Sequence, residues 1–471
     1  MSRKMANSGF RRSLGIPMGS PTVFKARPRA TIIIILVNVL IYVLTSYENF
    51  FIETSDYWVS ICGFIPSLVE NPSQWYRVFT SMFLHADFFH ILFNMYFLYV
   101  FGRAVESILG KSRFLLLYLT SGIFASIFHT AFSFIGGLSA YTVPAIGASG
   151  AISGILGAYL ILYPGTYLLV GWSFIIFPMF FRLKASYYII FWFATQVIYG
   201  FTRTAGSTAV FAHAGGFVAG ITLLPLLVDK EKIVRLKIMR AYSLLPYLTP
   251  VNLKTTGLGF FSKTIATMLI ALLSAGAAYA SSGLAVRGII KSTTIQYTCG
   301  EVPYIDYVGV QLPDLESQIA SVPLDMTKIL LNRLNSAGLL YDEANSNGEI
   351  VLSSWSTKLP VRVVIGSSVN IVNVNTTIHY FSGTYDSDGF LSYGEGSLTT
   401  RAVSVVLYGQ LYRLVESEPI TYVFKAVSQT VDLTGLARCT GAVSLFTALG
   451  ALFVVVKKDE ELTLIEERQL F

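Results

Sequence analysis

The chain has 471 residues, of which 53% are hydrophobic and only 13% charged, with a formal net charge of +7 and a mean hydropathy of +0.60. Its charges are gathered between long apolar runs, the pattern a hydrocarbon solvent imposes when a charge at mid-bilayer costs about 2.5–3.5 kcal/mol; this excludes an ordinary soluble protein and predicts a polytopic one in a lipid bilayer. The basic residues sit beside those runs and form no aromatic-interleaved polar stripe, which argues against a nucleic-acid partner.

Arg3, Lys4, Arg11, Arg12, Lys25, Arg27 and Arg29 precede the first apolar run, and no small-residue cleavage site follows it, so residues 1–29 read as a cytoplasmic tail and not a cleaved signal. Apolar windows at 30–47, 83–101, 114–136, 146–162, 185–201, 210–227, 261–286 and 439–456 predict eight spans. With the N-terminus inside, the short outer loops hold only Arg77 and Arg203. The inner segments hold Arg103, Lys111, Arg113, Arg182, Lys184, Lys230, Lys232, Arg235, Lys237, Arg240, Lys254 and Lys263, as the positive-inside rule requires. Residues 229–260 form a basic cytoplasmic loop, and 457–471 return to the cytoplasm. The apolar piece 163–181 is broken by Pro164, Gly165 and Pro178 and reads as interfacial or re-entrant.

Residues 287–438 differ in composition, with acidic residues in excess and Asn, Ser, Thr and Gly common, and predict a soluble domain. Helical spacing over 324–340 and alternation at 361–365 and 369–380 give it an α+β fold; an Asn375-Thr376-Thr377 sequon fits an external location. Cys62, Cys299 and Cys439 form no CxxC pair and no metal-ligand spacing, so neither a zinc site nor a disulfide framework is implied, although a Cys62–Cys299 bridge stays open if both lie outside.

Polar groups are costly within the spans, and those present carry the chemistry. His85, His90 and Asn94 share one apolar window, and His90 and Asn94, four apart, project from one helical face. Packing glue is the alternative for a single such histidine. Gly147-Ala148-Ser149-Gly150 lies at the mouth of the fourth window, where glycines permit close backbone approach and a helix starting at Ser149 leaves N–H groups to donate to a developing oxyanion. In the sixth window His213 lies one turn from Gly216, which forms a GxxxG face with Gly220; Gly150, Gly154 and Gly157 supply a matching stripe. If the stripes meet, His213 reaches the level of Ser149 and can act as its general base.

At this point the sequence resembles the rhomboid proteases, over about 75–227. The shared features are Arg77-Val78-Phe79-Thr80, His85 with His90-Ile91-Leu92-Phe93-Asn94, Gly102-Arg103-Ala104-Val105-Glu106, Gly147-Ala148-Ser149-Gly150-Ala151 and Ala212-His213-Ala214-Gly215-Gly216. The resemblance implies a six-helix core at 30–228 in which a Ser149–His213 dyad cleaves transmembrane segments of other proteins. Ser149 N–H, His90 and Asn94 would bind the oxyanion, with Arg77, His85, Glu106, Gly147, Gly150, Gly216 and Gly220 in support and no metal or organic cofactor. Some relatives carry Trp immediately before the arginine, where this chain has Tyr76, and many carry an aromatic ring on the histidine where it has Ser153.

The expected fold class is therefore an all-α polytopic membrane protein: a rhomboid-like six-helix core plus two further transmembrane helices bracketing a soluble α+β extracytoplasmic domain. The expected location is the plasma membrane. A non-catalytic rhomboid-like protein that binds membrane clients is the first alternative, and such proteins typically lack the serine or the histidine. A proton-relaying transporter is the second, and no carboxylates within the spans support it.

Overall fold

The computed structural model describes residues 28–464 apart from 70, 137–140, 142–143, 175–176, 203–208, 245–256, 287–288, 301, 313–315, 320–324, 366–367 and 409–410. The basic tail up to Arg27, Arg203, Lys254 and the last residues of the 457–471 tail, all used in the charge argument, lie outside this set. In chain order the first elements are helices α1 (Arg29–Ser46), α2 (Phe88–Leu109), α3 (Lys111–Gly136) and α4 (Ser149–Leu162). Strands β1 (Tyr167–Phe174) and β2 (Phe177–Lys184) follow, then α5 (Ala185–Thr202), α6 (Val210–Leu227), α7 (Lys230–Leu244) and α8 (Phe260–Ser281).

Each apolar window holds a helix, with altered bounds. The second begins at Phe88 because Asp87 caps it, its carboxylate accepting from His90 N at 2.8 Å, so His85 precedes the helix instead of lying within it. The fourth begins at Ser149, not at 146, and is only 14 residues long. The interrupted piece 163–181 supplies most of an antiparallel ribbon, Tyr167 pairing with Lys184 and Phe174 with Phe177; its aromatic and branched runs are too short for a helix that spans. The basic loop after α6 is itself helical as α7.

Helix α1 displays the solvent for which this fold is built. Its Thr31, Asn38 and Ser46 are fully buried, while Leu36 and Leu40 are 62% and 60% exposed. Water would invert that arrangement; hydrocarbon favours it, because lipid cannot satisfy polar groups. Its first N–H groups are closed by the buried Glu106 carboxylate, which accepts from Ala30 N at 2.9 Å, Thr31 N at 2.8 Å and Thr31 Oγ1 at 2.7 Å.

After α8 the chain enters strands β3 (Ile289–Cys299), β4 (Val302–Leu312) and β5 (Glu316–Ile319), then helix α9 (Asp325–Ser336). Strands β6 (Glu349–Ile365), β7 (Ser368–Tyr385), β8 (Leu391–Thr400), β9 (Val403–Tyr408), β10 (Leu411–Glu416) and β11 (Ile420–Val431) follow, and α10 spans Leu433–Leu462. Seven strands make an antiparallel sheet in the order β5-β4-β3-β11-β8-β7-β6, and β9 pairs with β10 separately. Leu330, Leu331 and Leu334 of α9 share a buried cluster with Ile295, Val308, Phe381 and Tyr422 of the sheet. The fold as a whole is therefore not all-α. Cys62, Cys299 and Cys439 are free thiols.

Among the described residues six helices, α1, α2, α3, α6, α8 and α10, are long and apolar enough to cross a membrane, against the eight spans expected from the apolar windows; α4 is apolar but shorter. The pair α8 and α10 is packed onto the rest: Thr222 Oγ1 of α6 donates to Thr447 O of α10 at 2.7 Å, and Gly276 of α8 sits against Phe132 of α3 and Phe201 of α5. The residues following α10 close the free end of α4, with Thr463 Oγ1 donating to Ile161 O at 2.8 Å and Leu464 N to Leu162 O at 3.0 Å. The sheet lies at the end of the bundle where α4 begins, since Tyr307 of β4 packs on Ile65 and Leu68 of the α1–α2 connection.

Candidate active site

Helix α4 lies at the centre of the bundle, and its glycines explain why. A Cβ at Gly216 would collide with Gly150 O, one at Gly220 with Gly154 O, and one at Gly157 with Phe217 O, so α4 and α6 cross at backbone contact. On the other flank Gly150 meets Ala125 Cβ and Gly154 meets the Ser121 side chain of α3.

This crossing brings His213 Nε2 to 2.8 Å from Ser149 Oγ. Both side chains are half-buried. The other ring nitrogen, Nδ1, is 2.8 Å from Gln196 Oε1 of α5. The rings of Trp192, also on α5, and His213 are 6.2 Å apart between centroids and tilted by 33°. Ser153 does not reach the imidazole; its hydroxyl donates to Ser149 O at 2.6 Å.

His90 approaches the same spot from α2. Its Nδ1 accepts from Ala86 N at 3.3 Å, which in the neutral ring leaves the proton on Nε2. That Nε2–H faces Gly147, where a Cβ would lie 2.8 Å from His90 Nε2 and 3.7 Å from Ser149 Oγ. Gly147 is held at φ +116°, a conformation L side chains rarely adopt. Its N–H donates to Ser81 O at 2.8 Å, and the adjoining Ala145 exchanges both backbone bonds with Phe64. We expect Gly147→Ala to leave the protein assembled but to lower any Ser149-dependent turnover on the order of tenfold, because both the backbone and the His90 ring must move. Steady-state kinetics beside a melting curve would check this, and unaltered turnover would refute it.

The remaining sequence candidates fall around this centre. Asn94 is buried, and its Nδ2 donates to His90 O at 2.9 Å; among the described residues it makes no hydrogen bond to Ser149 or His213. His85 is completely buried, its ring 5.1 Å from that of His90 and its Nε2 accepting weakly from Ala148 N at 3.4 Å, so it props the turn before α4. Arg77 holds the α1–α2 connection, with Nη1 donating to Ser60 O at 2.5 Å and Gly63 O at 3.0 Å and Nε to Gln74 Oε1 at 2.7 Å. Glu106 acts farther away, at the start of α1. Gln196 was missed, although an amide in the middle of an apolar helix is itself the signal that finds such groups.

The fold and this polar centre define a multi-pass helical membrane protein with a serine and a histidine in hydrogen-bond contact among its helices. The sequence model of the rhomboid domain matches residues 72–230. YdcA, a rhomboid protein of Bacillus subtilis, is 34% identical over 164 residues, covering 34% of this chain and 70% of its own. RHOMBOID-like protein 1 of Arabidopsis thaliana is 34% identical over 157 residues, or 33% of this chain and 36% of its own, and Inactive rhomboid protein 1 of Rattus norvegicus is 30% identical over 169 residues, or 35% and 17%. The chain belongs to the rhomboid family. The match reaches neither α8, the sheet, nor α10.

Proposed function

We propose that this protein is an intramembrane serine endopeptidase that cleaves transmembrane segments of other membrane proteins with Ser149 as nucleophile and His213 as general base. The 2.8 Å contact between His213 Nε2 and Ser149 Oγ carries the reading, since a serine hydroxyl is a poor nucleophile until a positioned base takes its proton. Ser149 Oγ attacks the scissile carbonyl while His213 accepts the proton. His213 then returns it to the leaving amine, and water, deprotonated by the same ring, releases the acyl group from Ser149. Developing oxyanion charge falls to the Ser149 N–H, at the start of α4, and to His90 Nε2–H, with the second Asn94 amide hydrogen as a further donor.

The depth of the site follows from the length of α4. Fourteen residues rise about 21 Å, less than the roughly 30 Å of a hydrocarbon core, so a helix ending at the inner surface starts below the outer one. A substrate helix must unwind there, because a carbonyl locked in helical hydrogen bonds cannot be attacked. The charge pattern supports a cytoplasmic N-terminus and C-terminus, and with them an extracytoplasmic domain at 287–438. On this reading the protein sits in the plasma membrane and the domain presents or screens substrates beside the opening of Ser149. The presence of both Ser149 and His213 favours catalysis over client binding alone.

The test is a reconstituted protein offered a model transmembrane substrate with and without a fluorophosphonate. Cleavage abolished in step with a covalent adduct on Ser149 is the expected result. Cleavage that continues with Ser149 fully modified would overturn the proposal, as would a failure to cleave any model substrate or to form the adduct.

A further inference from the structure

A second chain of hydrogen bonds runs behind His213, and its direction is fixed by chemistry alone. A backbone carbonyl only accepts, so Thr195 Oγ1, 2.6 Å from Trp192 O, must spend its proton there. The Thr195 oxygen then accepts from Gln196 Nε2 at 3.1 Å. With the amino side of Gln196 so occupied, its carbonyl side faces His213, and Nδ1 of the imidazole must carry the proton in the 2.8 Å contact. Nε2 is left as a lone pair directed at the Ser149 hydroxyl. Each bond dictates the next, from a carbonyl of α5 to the base.

Resting on the endopeptidase reading above, we propose that Gln196 is the positioning residue of the dyad, a neutral acceptor anchored by Thr195 that selects the reactive tautomer and orientation of His213. The place is one where an acidic group would serve in water, but a carboxylate among these apolar helices carries a desolvation cost that an amide avoids. Among the described residues no Asp or Glu hydrogen-bonds to His213. The titratable groups that bear on it from the packed elements are Ser149 of α4, His90 of α2 and His129 of α3. Beyond Ser149 itself the serine's helix gives the imidazole no hydrogen bond, since Ser153 turns its hydroxyl to Ser149 O, while Trp192 and Gln196 both come from α5. The orientation of the base is thereby tied to α5, a helix that among the described residues makes no hydrogen bond to Ser149.

Three substitutions in the full-length reconstituted protein test this. Gln196→Met keeps the shape and removes the acceptor; kcat is expected to fall about 10–100-fold with KM nearly unchanged, part of the roughly 10²–10⁴ that a positioned base supplies. Thr195→Val, which frees the amide to turn its amino side toward His213, should lose about 2–10-fold, and Thr195→Ser should retain parental activity. Gln196→Glu restores an acceptor and adds charge beside the imidazolium, so activity should return and the acidic limb of the kcat profile should move about 1–3 pH units upward. A Gln196→Met protein that cleaves within twofold of the parent, or a Gln196→Glu protein with neither rescue nor shift, overturns the role of Gln196. If Ser149→Ala and His213→Ala are inactive in the same assay, that failure concerns Gln196 alone. If they cleave like the parent, the endopeptidase site itself is wrong.

Discussion

Ser149→Ala and His213→Ala are each expected to lower cleavage of a reconstituted transmembrane substrate by about 10⁴–10⁶-fold, and the double variant by no more than either alone. On the proposed mechanism the two groups, 2.8 Å apart, act through one shared proton, so removing either leaves the other with nothing to do. Residual rate would come from oxyanion donors and binding, which persist because neither substitution disturbs the backbone crossing of α4 and α6. Both variants should therefore fold, bind substrate and melt near the parent temperature. Losses that multiply in the double variant would show that serine and histidine contribute separately, and cleavage at parental rates in both would move the active site elsewhere.

The candidate site was legible in the sequence to the extent that hydrocarbon penalises polar atoms. Ser149, His90, Asn94 and His213 stand out because each sits in an apolar run, and the glycine spacing of 150, 154, 216 and 220 foretells which two helices touch. The same rule applied to Gln196, but without the crossing geometry an amide on α5 has no evident target. Hydropathy puts His85 in the second span because it does not register a helix cap; the Asp87 side chain starts the helix after it. The β1–β2 ribbon was unreadable for a related reason, since an apolar segment interrupted by Pro and Gly has no period to separate strand from surface helix. Alternation identified strands in 361–380, whereas the order that places β11 between β3 and β8 depends on pairings distant in sequence.

Gly216→Ala and Gly220→Ala are each expected to reduce turnover on the order of 10²–10³-fold and to lower the melting temperature. In both cases the single added carbon falls on a carbonyl of α4, Gly150 O for the first and Gly154 O for the second. A flexible side chain could swing aside, but a carbonyl locked in its own helix cannot, so the two helices must separate or tilt. A shift of about 1 Å is enough to break a 2.8 Å contact and is worth about 10²-fold in rate for a group that must be held in line. Gly216, three residues from His213, should carry the larger catalytic loss for an equal change in stability; Gly220, a turn farther, should show the reverse balance. Gly435→Ala on α10 is the control, because nothing lies within 4 Å of the added carbon. Its activity and melting temperature should match the parent, which separates crowding at the crossing from the general effect of replacing a helical glycine. Parental turnover in Gly216→Ala would mean that α4 and α6 do not meet along these glycines, and the alignment of Ser149 with His213 would need another cause.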